Sequence, residues 1–599
     1  MEITLEIFQG HEALELIDQD YFRSAWTDLA DQNKKHLVLQ RWEFAGTWYK
    51  HYQSVYTPLL FVGKDSQHEI VGILALAIHK EDKFLCGAGA EYAEYHGWLC
   101  EEQIEETFIF QSLAYLKKQG FKEWKINWLA PGTRVDFLTE ARLHQMGIYI
   151  DLLASEDPIW NLEDPKKLKK INKRANVKRS FRYFREQGNF RLERIHYTEG
   201  LDDLLEELAA QNDFKKEALY NMSGFKGDPL SQGFLKGLME YPQYNHFSVL
   251  WLDDKALAFN HALIEGDELC LASTSYNPAE SRNSPGKLHL LELAKMCMEE
   301  SITAFDLTPG QDVYKSRFAN TYREVHRLSF FFSNTAKLKH ELRIRIKEIS
   351  EKLLDKSKMD FRSFKYELDD TKVRFKRVLS LGMFHSISEL GKLLYKRKDY
   401  QLFQLKNLRQ GSAKFPDVPE LEISVNDFHD LLDYNEPPGY VSRKDLYLEC
   451  LSNFGRGDKV YCLKQSGQLL GLAWLRNGKY PLKLHSTKQI QEFPEESFVI
   501  YGFREFGLEI PIGAISMLYE KMTEDAIEKG VKHIFLCENK EGRSSASFKN
   551  FRQVEGIFSK SYHRILTCLH YAFDAKYANS EDHLIEFIEL EKSSINSIR

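Results

Sequence analysis

The 599-residue chain is notable first for what it has little of. No run of apolar residues approaches the ~18 that a membrane-spanning helix needs. Its first residues, MEITLEIFQGHEALELIDQDYF, are acidic and lack the positive start and apolar centre of a secretory signal, so a cytoplasmic location is expected. The eight cysteines (Cys86, Cys100, Cys270, Cys297, Cys450, Cys462, Cys537 and Cys568) are scattered and form no CxxC pair. Buried free thiols are expected, with no disulfide framework and no zinc site. There is no P-loop, no GxSxG elbow and no HExxH, and no cluster of His, Cys and Asp suggests a metal. Nor is there an excess of positive charge: the net charge of −7 argues against a general nucleic-acid binder.

What is present describes a globular chain, 43% hydrophobic and 28% charged, long enough for about three to five domains. Its organising stretch is Ser284 to Arg317, SPGKLHLLELAKMCMEESITAFDLTPGQDVYKSR. A tight turn, Ser284-Pro285-Gly286, opens a helix with Leu290, Leu291, Ala294, Cys297 and Met298 on one apolar face. A short buried strand, 302–307, follows and ends in the turn Pro309-Gly310. Helix N–H groups left unpaired behind a glycine turn suit a phosphate or pyrophosphate. Lys287, in that first turn, opposes the helix dipole but suits a phosphate neighbour. Three strands precede it, 246–252, 256–264 and 268–276, joined by the turns Asp253-Asp254 and Glu265-Gly266-Asp267.

Three antiparallel strands, a glycine turn, a helix and one more strand are the core of the GNAT acyltransferase fold. The run SPG…L followed by FDLTPGQDVYKSRF resembles the GNAT branch of cellulose- and exopolysaccharide-biosynthesis acetyltransferases, relatives of the Fem-like peptidoglycan aminoacyltransferases. The resemblance covers roughly residues 38–332. It implies an α/β fold of α+β type, with tandem GNAT-like mixed sheets flanked by helices. Residues 38–155 repeat the same order of elements as a degenerate half, behind a cap of residues 1–37, and 156–332 form the half with the cofactor turn. In the first half the helix begins Glu101, Glu102, Glu105, Glu106 with no glycine turn, which is hostile to a phosphate. That half should therefore build a wall of the acceptor cleft, with Glu94, Tyr95 and His96 either contacting the acceptor or bonding locally.

Residues 165–185 contain ten lysines and arginines and no acid, with Leu168, Ile171 and Ala175 as an apolar stripe. Such an amphipathic basic helix is a solvated surface, a docking face for a polyanionic or lipid-linked acceptor or membrane, or a tRNA contact. Residues 333–419 read as a charged helical connector, with a linker at 410–419. Residues 420–599 resemble a further, single GNAT-like domain: strands 459–464, 469–476 and 498–508, then Gly513 and Ala514 opening a helix 515–529, then a strand 531–537. A helix ending in Glu555-Gly556-Ile557 is expected to close it. This domain either binds acyl-CoA or is a silent copy.

Acyl transfer needs a held acyl-CoA, a polarised carbonyl, a base for the acceptor and an acid for the leaving thiolate. Ser284, Gly286 and Lys287 are the binding candidates, with Gly513 and Ala514 as a second site; Ser-Pro-Gly is also an ordinary helix-opening turn. Asp306, Tyr314 and Lys315 are the proton-transfer candidates. Asp306 at the end of an apolar strand could have its pKa raised toward a useful base, Tyr314 could protonate the thiolate, and Lys315 could hold an anionic group. The alternative is that Asp306 caps its turn and Tyr314 packs. His261, on a strand, is a weaker base candidate. The resemblance implies acetyl-CoA or another acyl-CoA as co-substrate and no metal, with a small-molecule or lipid-linked sugar or cell-envelope precursor as acceptor. It leaves open tRNA-dependent aminoacyl transfer and a non-catalytic scaffold.

Overall fold

The computed structural model describes residues 2–33, 38–197, 199–310, 312–355, 395–406, 420–437, 441–483, 490–511 and 513–539, with the strands 554–565, 569–576 and 586–587. These fall into two compact units, the first drawn from 2–212, 224–276 and 283–355, the second from 213–223, 277–282 and 395 onwards.

The first unit is built on one sheet of thirteen strands. They are β1 (Thr4–Gln9), β2 (Tyr56–Lys64), β3 (Ile70–His79), β4 (Leu85–Gly87), β5 (Leu99–Cys100), β6 (Glu123–Ile126) and β7 (Tyr149–Asn161), then β8 (Phe190–Arg194), β9 (Asn245–Leu252), β10 (Lys255–Glu265), β11 (Glu268–Tyr276), β12 (Ala304–Asp306) and β13 (Thr321–Phe331). Their order across the sheet is β1-β2-β3-β4-β6-β13-β7-β12-β11-β10-β9-β8, with β5 beside β3. Two pairs are parallel, β4 with β6 and β11 with β12; the others along that order are antiparallel. Each parallel pair brackets a helix, Glu105–Lys118 in the first half and Pro285–Glu299 in the second, as the sequence order demanded.

The centre of the second half is a strand apolar along nearly its whole length, β10, buried from Ala256 to Leu263. Such a run fits a strand covered on both faces. On one face the helix Pro285–Glu299 packs Leu288, Leu291, Ala294 and Cys297 against Leu250, Ala258 and Ala262. On the other, Leu205 and Leu208 cover Val249, Phe259 and Leu263. Met298, expected on the apolar face, is 45% exposed, because the buried stripe runs through Leu293 and Ala294 instead.

The halves exchange strands. β13, from the end of the second half, lies between β6 and β7, and β7 reaches across to pair with β12. β7 runs unbroken through residues 155 and 156, where the sequence placed a boundary. The N-terminal residues extend the sheet, β1 pairing with β2, and bury Phe22 and Trp26 of the helix Asp20–Gln32 in the same core.

The second unit is a nine-stranded sheet. Its strands are β14 (Tyr395–Leu405), β15 (Leu421–Val425), β16 (Lys459–Gln465) and β17 (Gln468–Asn477), then, after the small hairpin β18 (Leu482–Lys483) and β19 (Ile490–Gln491), β20 (Ser497–Glu505), β21 (His533–Asn539), β22 (Val554–Ile565), β23 (Leu569–Lys576) and β24 (Glu586–Phe587). The order is β15-β16-β17-β20-β21-β14-β22-β23-β24. β16, β17, β20, the helix Ala514–Glu528 and β21 follow one another as β9, β10, β11, the helix Pro285–Glu299 and β12 do, with β20 and β21 parallel.

Two expectations fail here. Only Asn334–Asp355 of the anticipated connector is a described helix; β14 is a strand, placed inside the sheet with Leu402 and Leu405 buried. Glu555-Gly556-Ile557, expected as a helix end, lies in β22, antiparallel to β14. The lysines and arginines before Leu402 read as a charged helix, whereas pairing on both edges of β14 fixes it as a strand.

Candidate functional site

The site is a gap in the middle of the first unit's sheet. β11 and β12 pair over only three residues, Glu268 to Cys270 against Ala304 to Asp306. Beyond Cys270 they diverge, and β11 runs on to Tyr276 with β10 on one edge only. Ala272 and Thr274 are exposed although they lie in the heart of a sheet. Ala272 is also a bulge: Leu271 pairs with Ala262 and Ser273 with His261, so Ala272 faces no partner. A bulge re-aims its peptide N–H, and here it does so beside the gap.

At the far end of the gap the helix Pro285–Glu299 begins. Ser284 is its N-cap residue in the left-handed region (φ 53°), and Pro285 occupies the first turn. Gly286 is not left-handed; its lack of a side chain matters because a Cβ there would come 3.2 Å from Tyr276. The first turn carries no acid. The ammonium of Lys287, half buried, is held below its usual pKa by burial and then by Arg317 and Arg174, so three cations gather at this helix start.

The matching gap in the first half is closed. His96 N–H donates to Trp128 O (2.8 Å) and Ala130 N–H to His96 O (2.8 Å), so the chain around His96 fills the space beside the continuation of β6. A Cβ on Gly87 would lie 2.2 Å from His96 Nδ1. At that half's helix start Glu105 is buried and accepts from Trp98 Nε1 (2.8 Å), while Glu106 pairs with Arg142.

At the apex of the open gap lies Asp306, 2% exposed. Its Oδ1 accepts from Thr308 N–H (2.7 Å) and Tyr95 O–H (3.1 Å), and its Oδ2 from Arg323. Arg323 also donates to Asp157 Oδ2 (2.6 Å) and Glu268 Oε2 (2.9 Å). Three carboxylates thus share one guanidinium. Burial holds both Asp157 and Asp306 above the ordinary carboxylate range, with the charge of Asp306 adding to burial at Asp157, up to about 8, and Arg323 pulling both down. Tyr95, Glu265, Glu268, Cys270, Asp306 and Arg323 line a cavity of ≈ 20 Å³, room for about one water. Asp306 is therefore the keystone of an ion cluster as well as a group at the apex.

Lys315, expected to bind an anion, is 6% exposed and spends its protons on the turn after β12. Its Nζ donates to Thr308 O (3.1 Å), Thr308 Oγ1 (3.1 Å) and Pro309 O (3.2 Å). Thr308 is itself left-handed (φ 63°), so Lys315 holds a strained turn in place. Tyr314, on the short helix Val313–Phe318, is 36% exposed. Glu94 arrives from the first half: half buried, its carboxyl is raised first by burial, with Lys315 opposing and Asp306 and Asp312 adding. The structure thus brings Glu94 and Tyr95 to Asp306, Tyr314 and Lys315, while His96 stays in its own half, accepting no proton until about pH 4.

His261 is apart from the gap's open edge, its Nε2 3.3 Å from Asn245 Oδ1 and its pKa lowered to about 4 by burial. In the second unit Gly513 is left-handed (φ 90°) and caps the helix Ala514–Glu528, with Ala514 fully buried. No group of His, Cys, Asp or Glu that could hold a metal ion occurs among the described residues, nor any helix long and apolar enough to cross a membrane. Reading the sequence missed Arg323 and Asp157. Asp157 carried a signal, an acid set just before the buried run Pro158–Trp160; Arg323 sits in an alternating polar strand and carried none.

Residues 172–316 match the family model described as an acetyltransferase (GNAT) domain. That span holds Ser284, Gly286, Lys287, Asp306, Tyr314 and Lys315 and leaves out Glu94, Tyr95 and Arg323. No curated protein matches the chain. Among solved structures, the C-terminal domain of a putative lysylphosphatidylglycerol synthetase from Agrobacterium fabrum is similar at 12% identity and TM-score 0.35, over 53% of this chain and 94% of that one. FemX is similar at 10% identity and TM-score 0.35, over 51% and 95%. A tandem GNAT protein from the clavulanic acid biosynthesis pathway is similar at 10% identity and TM-score 0.34, over 55% and 98%. The chain is a mixed α/β protein of which residues 172–316 are similar to a GNAT acetyltransferase domain.

Proposed function

We propose that the chain is an acyltransferase that moves an acyl group from acyl-CoA to an amine or hydroxyl at the gap between β11 and β12. The observation that carries this reading is the contrast between the two gaps: one is open, with a bulged strand edge and three cations at its far end, and the other is filled by His96. Acyl-CoA supplies a thioester and, at its other end, phosphates. Lys287, Arg174, Arg317 and the start of the helix Pro285–Glu299 would hold the phosphates. The free edge of β11 offers peptide groups to an extended amide chain, and the N–H groups around Ala272 suit a carbonyl oxygen acquiring charge. Glu94, with its raised carboxyl, is placed to take a proton from the acceptor, and Tyr314 to give one to the departing thiolate. Asp306 fixes Tyr95, and Lys315 fixes the turn. The acceptor as a sugar or cell-envelope precursor rests on the sequence resemblance.

Calorimetric titration of acetyl-CoA and longer acyl-CoAs tests the reading against wild type, Gly286→Asp and Gly513→Asp. Binding lost with Gly286→Asp and kept with Gly513→Asp is the expected result. Loss only with Gly513→Asp would move the activity to the second unit. No binding to wild type would overturn acyl-CoA dependence and leave aminoacyl-tRNA as donor, or a scaffold.

A further inference from the structure

The basic stretch that the reaction does not absorb has a definite form in the structure. It is two helices, Pro165–Asn172 and Ala175–Gln187, broken at Lys173 and Arg174, rather than the single helix expected; Arg174 has extended backbone (φ −63°, ψ 133°). The apolar side is committed: Leu168, Ile171, Val177, Phe181 and Phe184 are buried in the core beneath the helix Pro285–Glu299. The opposite side presents Lys166, Lys169, Lys170, Lys173, Arg174, Lys178, Arg179, Arg182 and Arg185, all exposed. Of these, only Arg182 has an acidic partner among the described residues, Glu186 at 3.9 Å in the same helix. Half-buried Lys167 has its pKa lowered by burial and by Lys170 and Arg174. The cationic side is continuous, through Arg174, with Lys287 and Arg317.

We propose that this cationic side is a docking surface for an anionic phospholipid membrane. Like charges this close repel one another, and a chain of net charge −7 that leaves them unneutralised has kept them for an outside polyanion. The buried stripe excludes the usual mode of a basic amphipathic helix, insertion of its apolar face into the bilayer, so contact is electrostatic and reversible. A single-stranded nucleic acid is the less suited partner. It needs aromatic faces between the cations, and Phe181 and Phe184 are buried, leaving Tyr183, 37% exposed. A firm array of lysines and arginines without stacking platforms suits a plane of lipid phosphates. The docking stands whether or not acyl-CoA proves to be the donor.

Co-sedimentation of the full chain with vesicles tests this, using phosphatidylglycerol–phosphatidylcholine mixtures and phosphatidylcholine alone. The comparison variant is Lys169→Glu/Lys173→Glu/Lys178→Glu/Arg179→Glu, all exposed positions, with its thermal midpoint measured alongside. Wild type should bind the anionic vesicles and not the neutral ones, with affinity falling as salt rises. The variant should bind at least about 100-fold more weakly with an unchanged midpoint. If the variant's midpoint falls, the milder Lys169→Gln/Lys178→Gln should still weaken binding about 10-fold. No binding of wild type to anionic vesicles, equal binding by the variants, or stronger retention by transfer RNA than by vesicles would each overturn the proposal.

Discussion

Replacing Arg323 with Met tests the ion cluster at the apex most sharply. The guanidinium contacts Asp157, Asp306 and Glu268, two of which are almost wholly buried, so removing it leaves buried carboxylates without their cation. Breaking a buried pair from one side costs ~3–5 kcal/mol. The cost depends on pH in a definite direction. Asp157 titrates near 8 in the folded cluster against ~3.9 when unfolded. Between those values the folded state binds a proton that the unfolded state has released. Its stabilising contribution is full below about pH 4 and is lost as pH rises through about 8, at up to about 1.4 kcal/mol per pH unit. In Arg323→Met the carboxyls hold their protons more tightly still, so the penalty should be about 3–5 kcal/mol at pH 8, somewhat smaller at pH 5, and should grow most steeply above pH 8. Hydrogen exchange in graded urea, followed in peptides from β7, β12 and β13 with the second unit's strands as reference, reads it out. A penalty below about 1 kcal/mol at pH 8, or a penalty that falls as pH rises above 8, would refute the account.

Ser284→Gly removes the steric cost of a left-handed residue and should stabilise the first unit by up to about 1 kcal/mol, seen as a raised thermal midpoint; a lowered midpoint would mean that the serine makes a bond worth more than its strain. Lys315→Met deletes the donors that hold Thr308 and Pro309 and should lower stability by about 2–3 kcal/mol. Acyl-CoA affinity should stay within about twofold, and a larger drop would return Lys315 to the ligand.

Much of this was legible in the sequence because it is local. The hairpins about Asp253-Asp254 and Glu265-Gly266-Asp267 fall where turn residues interrupt apolar strands, and β11 has the bounds that its alternation gives. Ser284-Pro285-Gly286 does open a helix. The exchange of β7 and β13 was not legible, since nothing within either strand says which distant edge it will join. The same holds for β14, whose lysines and arginines suit a helix until β21 and β22 flank it. At the site, the types of Asp306, Tyr314 and Lys315 suggested chemistry, but what each proton is used for depends on Arg323, Tyr95 and Thr308. Those are partners chosen by folding rather than by spacing.

The exchanged strands also set an order of events for a chain made from its N-terminus. Trp124 pairs with Phe330, so the edge of β6 waits for roughly two hundred further residues to be synthesised before its neighbour exists. Through that interval β6 and β7 lack the strand that joins them, and open edges of this kind invite pairing with other chains. At about 5–20 residues per second the wait lasts on the order of ten to forty seconds. The first half is thus a nascent-chain liability that only the completed second half relieves, and ribosome-bound chains arrested before residue 321 are where a chaperone would be most needed.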